Sequence, residues 1–286
     1  MKRKLTRLII LVTSSSLLMS CQSNDELPTD WEEHDLRGKV ASVVDTAWLY
    51  DAAGTPAAEG TSGIPLFVKQ TLQFNKAGKL TYKWSKWNNG NIYQDSLYYD
   101  DGLLVKSIRH STQQGNNSVS ELTIQYDSLR RKITESYRRG RNVYHYEGSN
   151  IRPSLKEEHS ISTGKERHLR NMIYTYDSRG NLVKNLITSG DTDTHMTEII
   201  NEYDRKGNRI STITDHVPQN MDSEEKLKYN SKGDVIERIF QHENTAVNNV
   251  KTYEYQYDES GNWVVMETIK ANGDRVINRR TITYFD

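Results

Sequence analysis

The sequence predicts an all-β protein, a run of tandem antiparallel β-hairpins forming one elongated, twisted or coiled single-sheet meander. Three observations carry this. Apolar and polar residues alternate with period two, as in Tyr253, Tyr255 and Tyr257 against Glu254 and Gln256. A turn phrase, Tyr-Asp-x-x-Gly, recurs at roughly 26-residue intervals, the length of one supersecondary unit. No long helical period follows the first twenty residues.

Residues 1–20 read as a lipoprotein signal peptide. Lys2, Arg3, Lys4 and Arg7 form a basic start, and Leu8 to Met19 is an apolar stretch too short to span a bilayer. Ser20-Cys21 then places the chain's single cysteine at the cleavage point. This arrangement is similar to a bacterial lipobox, in which Cys21 is the lipid attachment. A lone cysteine excludes an internal disulfide. Loss of the basic leader turns a balanced chain, 38 basic against 38 acidic, slightly acidic. That excludes nucleic acid as an expected partner and leaves the N-terminal lipid as the contact with a membrane.

Residues 21–37 read as an acidic tether, since Asp25, Glu26, Asp30, Glu32, Glu33 and Asp35 precede any basic residue. Acidic residues just after a lipid cysteine resemble the surface-export signal of Bacteroidota lipoproteins. The outer membrane, with exposure at the cell surface, is therefore the expected location.

Residues 38–286 form the repeat domain. Its clearest turns carry Tyr176, Asp177 and Gly180; Tyr203, Asp204 and Gly207; Tyr229 and Gly233; and Tyr257, Asp258 and Gly261. The Asp accepts backbone N–H groups ahead of it, and the Gly takes positive φ to close a bulged hairpin. Looser copies stand at Phe74, Tyr99 and Tyr126, where Arg130 replaces the Gly, and an eroded one at Tyr146. About nine hairpins give about 18 strands. Loops of varied length alternate with the Tyr-Asp turns, which puts the two kinds on opposite edges and makes the varied edge the place for recognition.

The Tyr-Asp-x-x-Gly-Asn copies at 176–181, 203–208 and 257–262 resemble the YD-repeat family of Rhs and teneurin-type proteins. The resemblance covers roughly residues 50–286 and implies strands coiling into one long sheet. The chain is also similar to small repeat-bearing lipoproteins of Bacteroidota-type bacteria.

No catalytic constellation emerges, so no enzyme, cofactor or metal site is expected. Asp191, Asp193 and His195 alternate, but a solvated loop explains them, and the turn aspartates serve as turn acceptors without calcium. The expected function is a non-catalytic binding or scaffold lipoprotein offering loops or a concave face to a protein partner. The alternative is carbohydrate binding by the densest aromatic cluster, with Tyr82, Trp84, Trp87 and Tyr93 as candidate glycan contacts. An enzyme of unknown class and an accessory of a toxin-delivery system rank below these.

Overall fold

The computed structural model describes residues 29–56, 67–87, 89–113, 115–217, 221–243 and 249–286. Cys21 and most of the acidic stretch lie outside them.

A four-residue helix, α1 (Asp30–Glu33), precedes eighteen strands. They are β1 (Val40–Tyr50), β2 (Phe67–Phe74), β3 (Leu80–Trp87), β4 (Ile92–Asp100), β5 (Leu103–Gln113) and β6 (Asn116–Tyr126). Then come β7 (Lys132–Tyr137), β8 (Gly140–His145), β9 (Leu155–Ser162), β10 (Lys165–Tyr176), β11 (Leu182–Ser189) and β12 (His195–Tyr203). The last are β13 (Arg209–His216), β14 (Met221–Tyr229), β15 (Val235–His242), β16 (Asn249–Tyr257), β17 (Trp263–Lys270) and β18 (Arg275–Tyr284). Every strand pairs antiparallel with the next in sequence.

The sheet is not an open or coiled meander. β1 also pairs with β18, from Val40 opposite Tyr284 to Tyr50 opposite Arg275, and this seam closes the ring into an 18-stranded up-and-down barrel. Closure removes the two unpaired edges that an open sheet of this length would expose. The seam is specified by side chains as well. Asp45, buried, stands opposite the half-buried Arg280, and they form a two-pronged ion pair (2.8 and 3.0 Å), with the guanidinium 3.6 Å from the centroid of the Trp263 ring. Two fixed, parallel N–H donors match one carboxylate, so the pair favours one register.

The turn phrase builds one rim. Asp177 Oδ1 accepts the Arg179 and Asn181 amides, and Asp204 Oδ1 those of Lys206 and Asn208. The Asn181 and Asn208 side chains, with these amides, hold the two carboxyls below their usual range. Asn230 does the same work with its amide oxygen. Each turn shifts the ladder register at its aromatic residue, as at Thr175/Tyr176 and Glu202/Tyr203. Arg130 adopts φ 62° where the pattern expects Gly, and its guanidinium is tied to Asp101 in the neighbouring turn.

The tyrosines have a job the pattern does not reveal. Each reaches sideways to the preceding repeat: Tyr126 donates to Leu104 O, Tyr176 to Pro153 O, Tyr203 to Leu182 O and Tyr229 to Arg209 O, at 2.6–3.1 Å, Tyr257 donates to the Asp234 carboxylate (2.6 Å), and the Tyr99 hydroxyl lies 2.8 Å from both Leu80 O and the Asp30 carboxylate. Tyrosine thus serves both as apolar cover and as a strap from hairpin to hairpin. The eroded unit keeps the strap, Tyr146 to Lys132 at 2.8 Å, although its turn is lost.

Candidate functional site: the lumen and its closed mouth

Strand alternation divides the wall into two faces. The strap tyrosines and the Asp45–Arg280 pair belong to one face, which is the inner one, because the N-terminal segment packs on it from within the ring. Trp31 and Leu36 cover Val40, Val43, Leu72, Phe74 and Leu80, the hydrophobic core cluster of the molecule. Asp30 Oδ2 accepts the Leu80 amide (2.6 Å) and the Tyr99 hydroxyl (2.8 Å) on β3 and β4. Arg37 bonds the carbonyls of Gly261 (2.6 Å) and Lys232 (3.0 Å), in the turns of the far hairpins. The charge of Glu33 is felt from Lys132 on β7, and that of Asp35 from Asp234 beyond β14. A segment reached from that many strands lies across the Tyr-Asp mouth. Residues 29–37, read from sequence as tether, are therefore folded.

Local chemistry fixes it there. Thr29 and Glu32 form a reciprocal capping box at the start of α1. The indole of Trp31 donates to Val40 O (2.8 Å), and its ring lies over the turn at Gly78, where an added Cβ would sit 2.7 Å from it. Asn262, only 2 % exposed, accepts the Arg37 amide (2.7 Å) and donates to Arg37 O (2.8 Å) and to the Tyr284 hydroxyl (2.7 Å). The last Asn of the turn phrase is thus the clasp for the N-terminal segment. A cleft of about 240 Å³ remains beside it, lined by Glu32, Asp35, Arg37, Lys232, Asp234 and Trp263 among others.

Burial tunes the ionisable groups at this mouth. Desolvation, then the Asp30 charge, raises the Glu33 carboxyl, and desolvation, then Asp234, raises Asp35. Desolvation, then Lys83, lowers His34. Tyr99 is pushed far up by burial and by its bond to Asp30, and Tyr257 up to about 12 by burial and by its bond to Asp234. These hydroxyls stay protonated donors at every physiological pH.

Below the mouth the inner wall is polar. Asp95 pairs with Arg109 (2.6 Å), Glu158 with Arg170 (2.7 Å) and Arg209 with Glu225 (2.9 Å). Glu135 is ringed by Lys132, Asn142 and Tyr144 at 2.7–2.9 Å; these bonds outweigh burial and lower its carboxyl. A round ring of 18 strands has a wall radius of about 18 Å, too wide for opposite side chains to meet. The closed sheet therefore encloses a lumen lined by these polar groups.

The outer wall is charged as well. Cross-strand ion pairs Lys106–Glu121 (2.9 Å), Lys228–Glu237 (2.7 Å), Arg275–Glu267 (3.3 Å) and Lys184–Glu198 stand on it beside apolar cross-strand pairs such as Trp48–Ile277, Ile173–Leu186 and Ile200–Ile213. A lipid-facing barrel needs an apolar band about 25 Å tall, and each Arg or Lys at its midplane costs about 2–4 kcal/mol. On this wall charged pairs stand among the apolar ones.

No family model matches the chain, and no curated protein matches it. Among solved structures, it is similar to a porin-like protein from Bacteroides uniformis at 11% identity and TM-score 0.48, covering 90% of this chain and 98% of that one. It is also similar to a porin-like protein from Bacteroides vulgatus at 10% identity and TM-score 0.33, covering 86% of this chain and 98% of that one. A third likeness is to the TcdB2-TccC3-Cdc42 crystal structure, at 13% identity and TM-score 0.38, covering 83% of this chain but 15% of that one. A β-rich architecture is shared throughout; the YD-repeat resemblance gains no family match.

The expected open scaffold does not stand. A ring closed by β1–β18 has no free concave sheet face. The glycan alternative fares no better. Tyr82 and Trp84 lie opposite Gln73 and Thr71 on the outer face, whereas Trp87 and Tyr93 meet edge to face (6.4 Å) on the inner one. The four rings make no common platform. Asp191 and Asp193 do not converge with His195 either: Asp191 pairs with Arg167 (3.2 Å) and Asp193 accepts from Asn171 (3.0 Å).

Proposed function

We propose that the protein acts through its lumen, as a water-filled barrel of the cell envelope that takes up a small polar solute and is stoppered at its Tyr-Asp mouth by residues 29–37. The observation that carries this reading is the inner wall, where paired charges line the inside of a closed ring of 18 strands. The ion-paired outer wall supports a barrel standing in water. The leader and Cys21 support a lipid at the N-terminus as its hold on the outer membrane.

The test uses a Cys21→Ser background. Cysteine at Ser120, an inward position opposite Arg109, is titrated with a small charged thiosulfonate beside cysteine at the outward Glu121. Loosening the stopper with Asn262→Ala should speed labelling at 120 several-fold and leave 121 unchanged. Equal responses at both sites would refute a stoppered lumen. The same protein should remain soluble without detergent. Insolubility, with stepwise conductance in a planar bilayer, would replace this reading by a lipid-embedded pore.

A further inference from the structure

The outer wall carries a cluster that the lumen does not use. β8, β9 and β10 bring His145, Glu157, His159, Glu166 and His168 together near the varied edge. His159 stands directly opposite His168 in the β9–β10 ladder, and the two rings stack at 4.7 Å with planes 13° apart. Each of Glu157, His159 and His168 offers a ligand atom within 4.8 Å of the other two. We propose that Glu157, His159 and His168 bind a divalent transition-metal ion of the zinc class.

Four features of the cluster support this. First, one carboxylate faces three imidazoles: Glu157 lies 3.2 Å from His159 Nε2 and 3.4 Å from His145 Nε2, with His168 stacked behind. Second, the far nitrogen of His159, Nδ1, sits 3.0 Å from Glu166 Oε1, and Glu166 is itself held by Arg141 (2.7 Å). A metal-binding histidine usually gives its second N–H to a carboxylate, which fixes the ring and raises its basicity. Third, His168 Nε2 is buried without a hydrogen-bond partner, an uncompensated polar atom inside a site otherwise rich in partners. Fourth, the ring is seated against Gly190, where an added Cβ would lie 2.6 Å from it, so its position is set by the fold. The donor set of imidazole and carboxylate suits zinc and its neighbours rather than calcium or magnesium. Arg167, the nearby cation on β10, is already engaged by Asp191.

The test is calorimetric titration of the chelator-stripped protein with zinc chloride at pH 7.5. One saturable site is expected. His159→Ala and His168→Ala should each weaken it at least about tenfold. Glu157→Gln, which keeps the shape and removes the charge, should do the same and serves if either alanine variant fails to fold. His216→Ala, on the inner wall, should bind as the parent does. Cobalt should give visible d–d absorption that His159→Ala abolishes. The proposal is overturned if the folded parent shows no saturable site, or if Glu157→Gln and a folded His159→Ala bind zinc as tightly as the parent.

Discussion

Replacing Asn262 by alanine should unfasten the N-terminal segment while leaving the barrel standing. Its side chain makes three bonds, with Arg37 N, Arg37 O and the Tyr284 hydroxyl, all at 2.7–2.8 Å in a position almost closed to water. A buried hydrogen bond contributes about 0.5–1.5 kcal/mol net, and an abandoned partner adds desolvation cost. The Tyr284 hydroxyl keeps a bond to Asp258 Oδ2 (2.5 Å), so it is not stranded. The sum is about 2–4 kcal/mol against the docked state. At about 1.4 kcal/mol per factor of ten, local opening should become about 30- to 1000-fold more frequent. Hydrogen exchange read by mass spectrometry on peptides from residues 30–39 measures this directly. The ladder amides of β4 to β14 serve as an internal control and should not move. Parental protection of residues 30–39 in Asn262→Ala, or loss of protection throughout the barrel, would refute the clasp.

Gly207 tests the turn phrase. Its φ is 90°, and an added Cβ would meet only Asn181 at 3.9 Å, so Gly207→Val isolates backbone strain and should cost about 1–2 kcal/mol, whereas Ser178→Ala should leave the denaturation midpoint unchanged. Equal midpoints for the two variants would count against the assignment. The stopper should also respond to pH. His34 is lowered by burial, so its contribution to docking is present above its ordinary value near 6.5 and is lost as pH falls through the lowered one. Glu33 and Asp35 are raised, so theirs is fully present below their ordinary values and is lost as pH rises through the raised ones. Lys83, Arg280, Asp30 and Asp35 face His34 in the parent. In His34→Gln only the carboxylate response remains, and acidification from pH 7.5 to 5 should tighten the segment more than in the parent; identical exchange profiles would contradict this.

Local chemistry was legible and long-range closure was not. Asp177, Asp204 and Gly180 announce their turns because a turn is decided by four or five neighbouring residues. Strand alternation around Tyr255 likewise needs only its neighbours. The seam depends on Asp45 meeting Arg280 across most of the chain, and no period in the sequence reports such a pairing. The stretch from Asp30 to Arg37 reads as solvated because it is acidic. Its fate is set by Asn262 and Tyr99, which its own composition does not predict. The tyrosine straps left a signal, the abundance of Tyr at one phase of the repeat, but half-wet sheet cover explains that equally well. Trp84 and Trp87 are three apart, and an odd separation on a strand places two side chains on opposite faces. His159 and His168 are nine residues apart, and only the β9–β10 ladder makes them neighbours.

Closure of the ring is the claim on which the lumen, the stopper and the inward charges all depend. It is tested by placing cysteines at Val44 and Thr281, opposite each other in the outward register of the β1–β18 seam, in a Cys21→Ser background. Facing residues of an antiparallel pair are about 4.5–5.5 Å apart at Cα, within disulfide range. Mild oxidation at low protein concentration should join them completely within one molecule, visible as a mobility shift on a non-reducing gel and as a linked peptide after proteolysis. Free thiols, or linkage only between molecules, would mean that the sheet stays open.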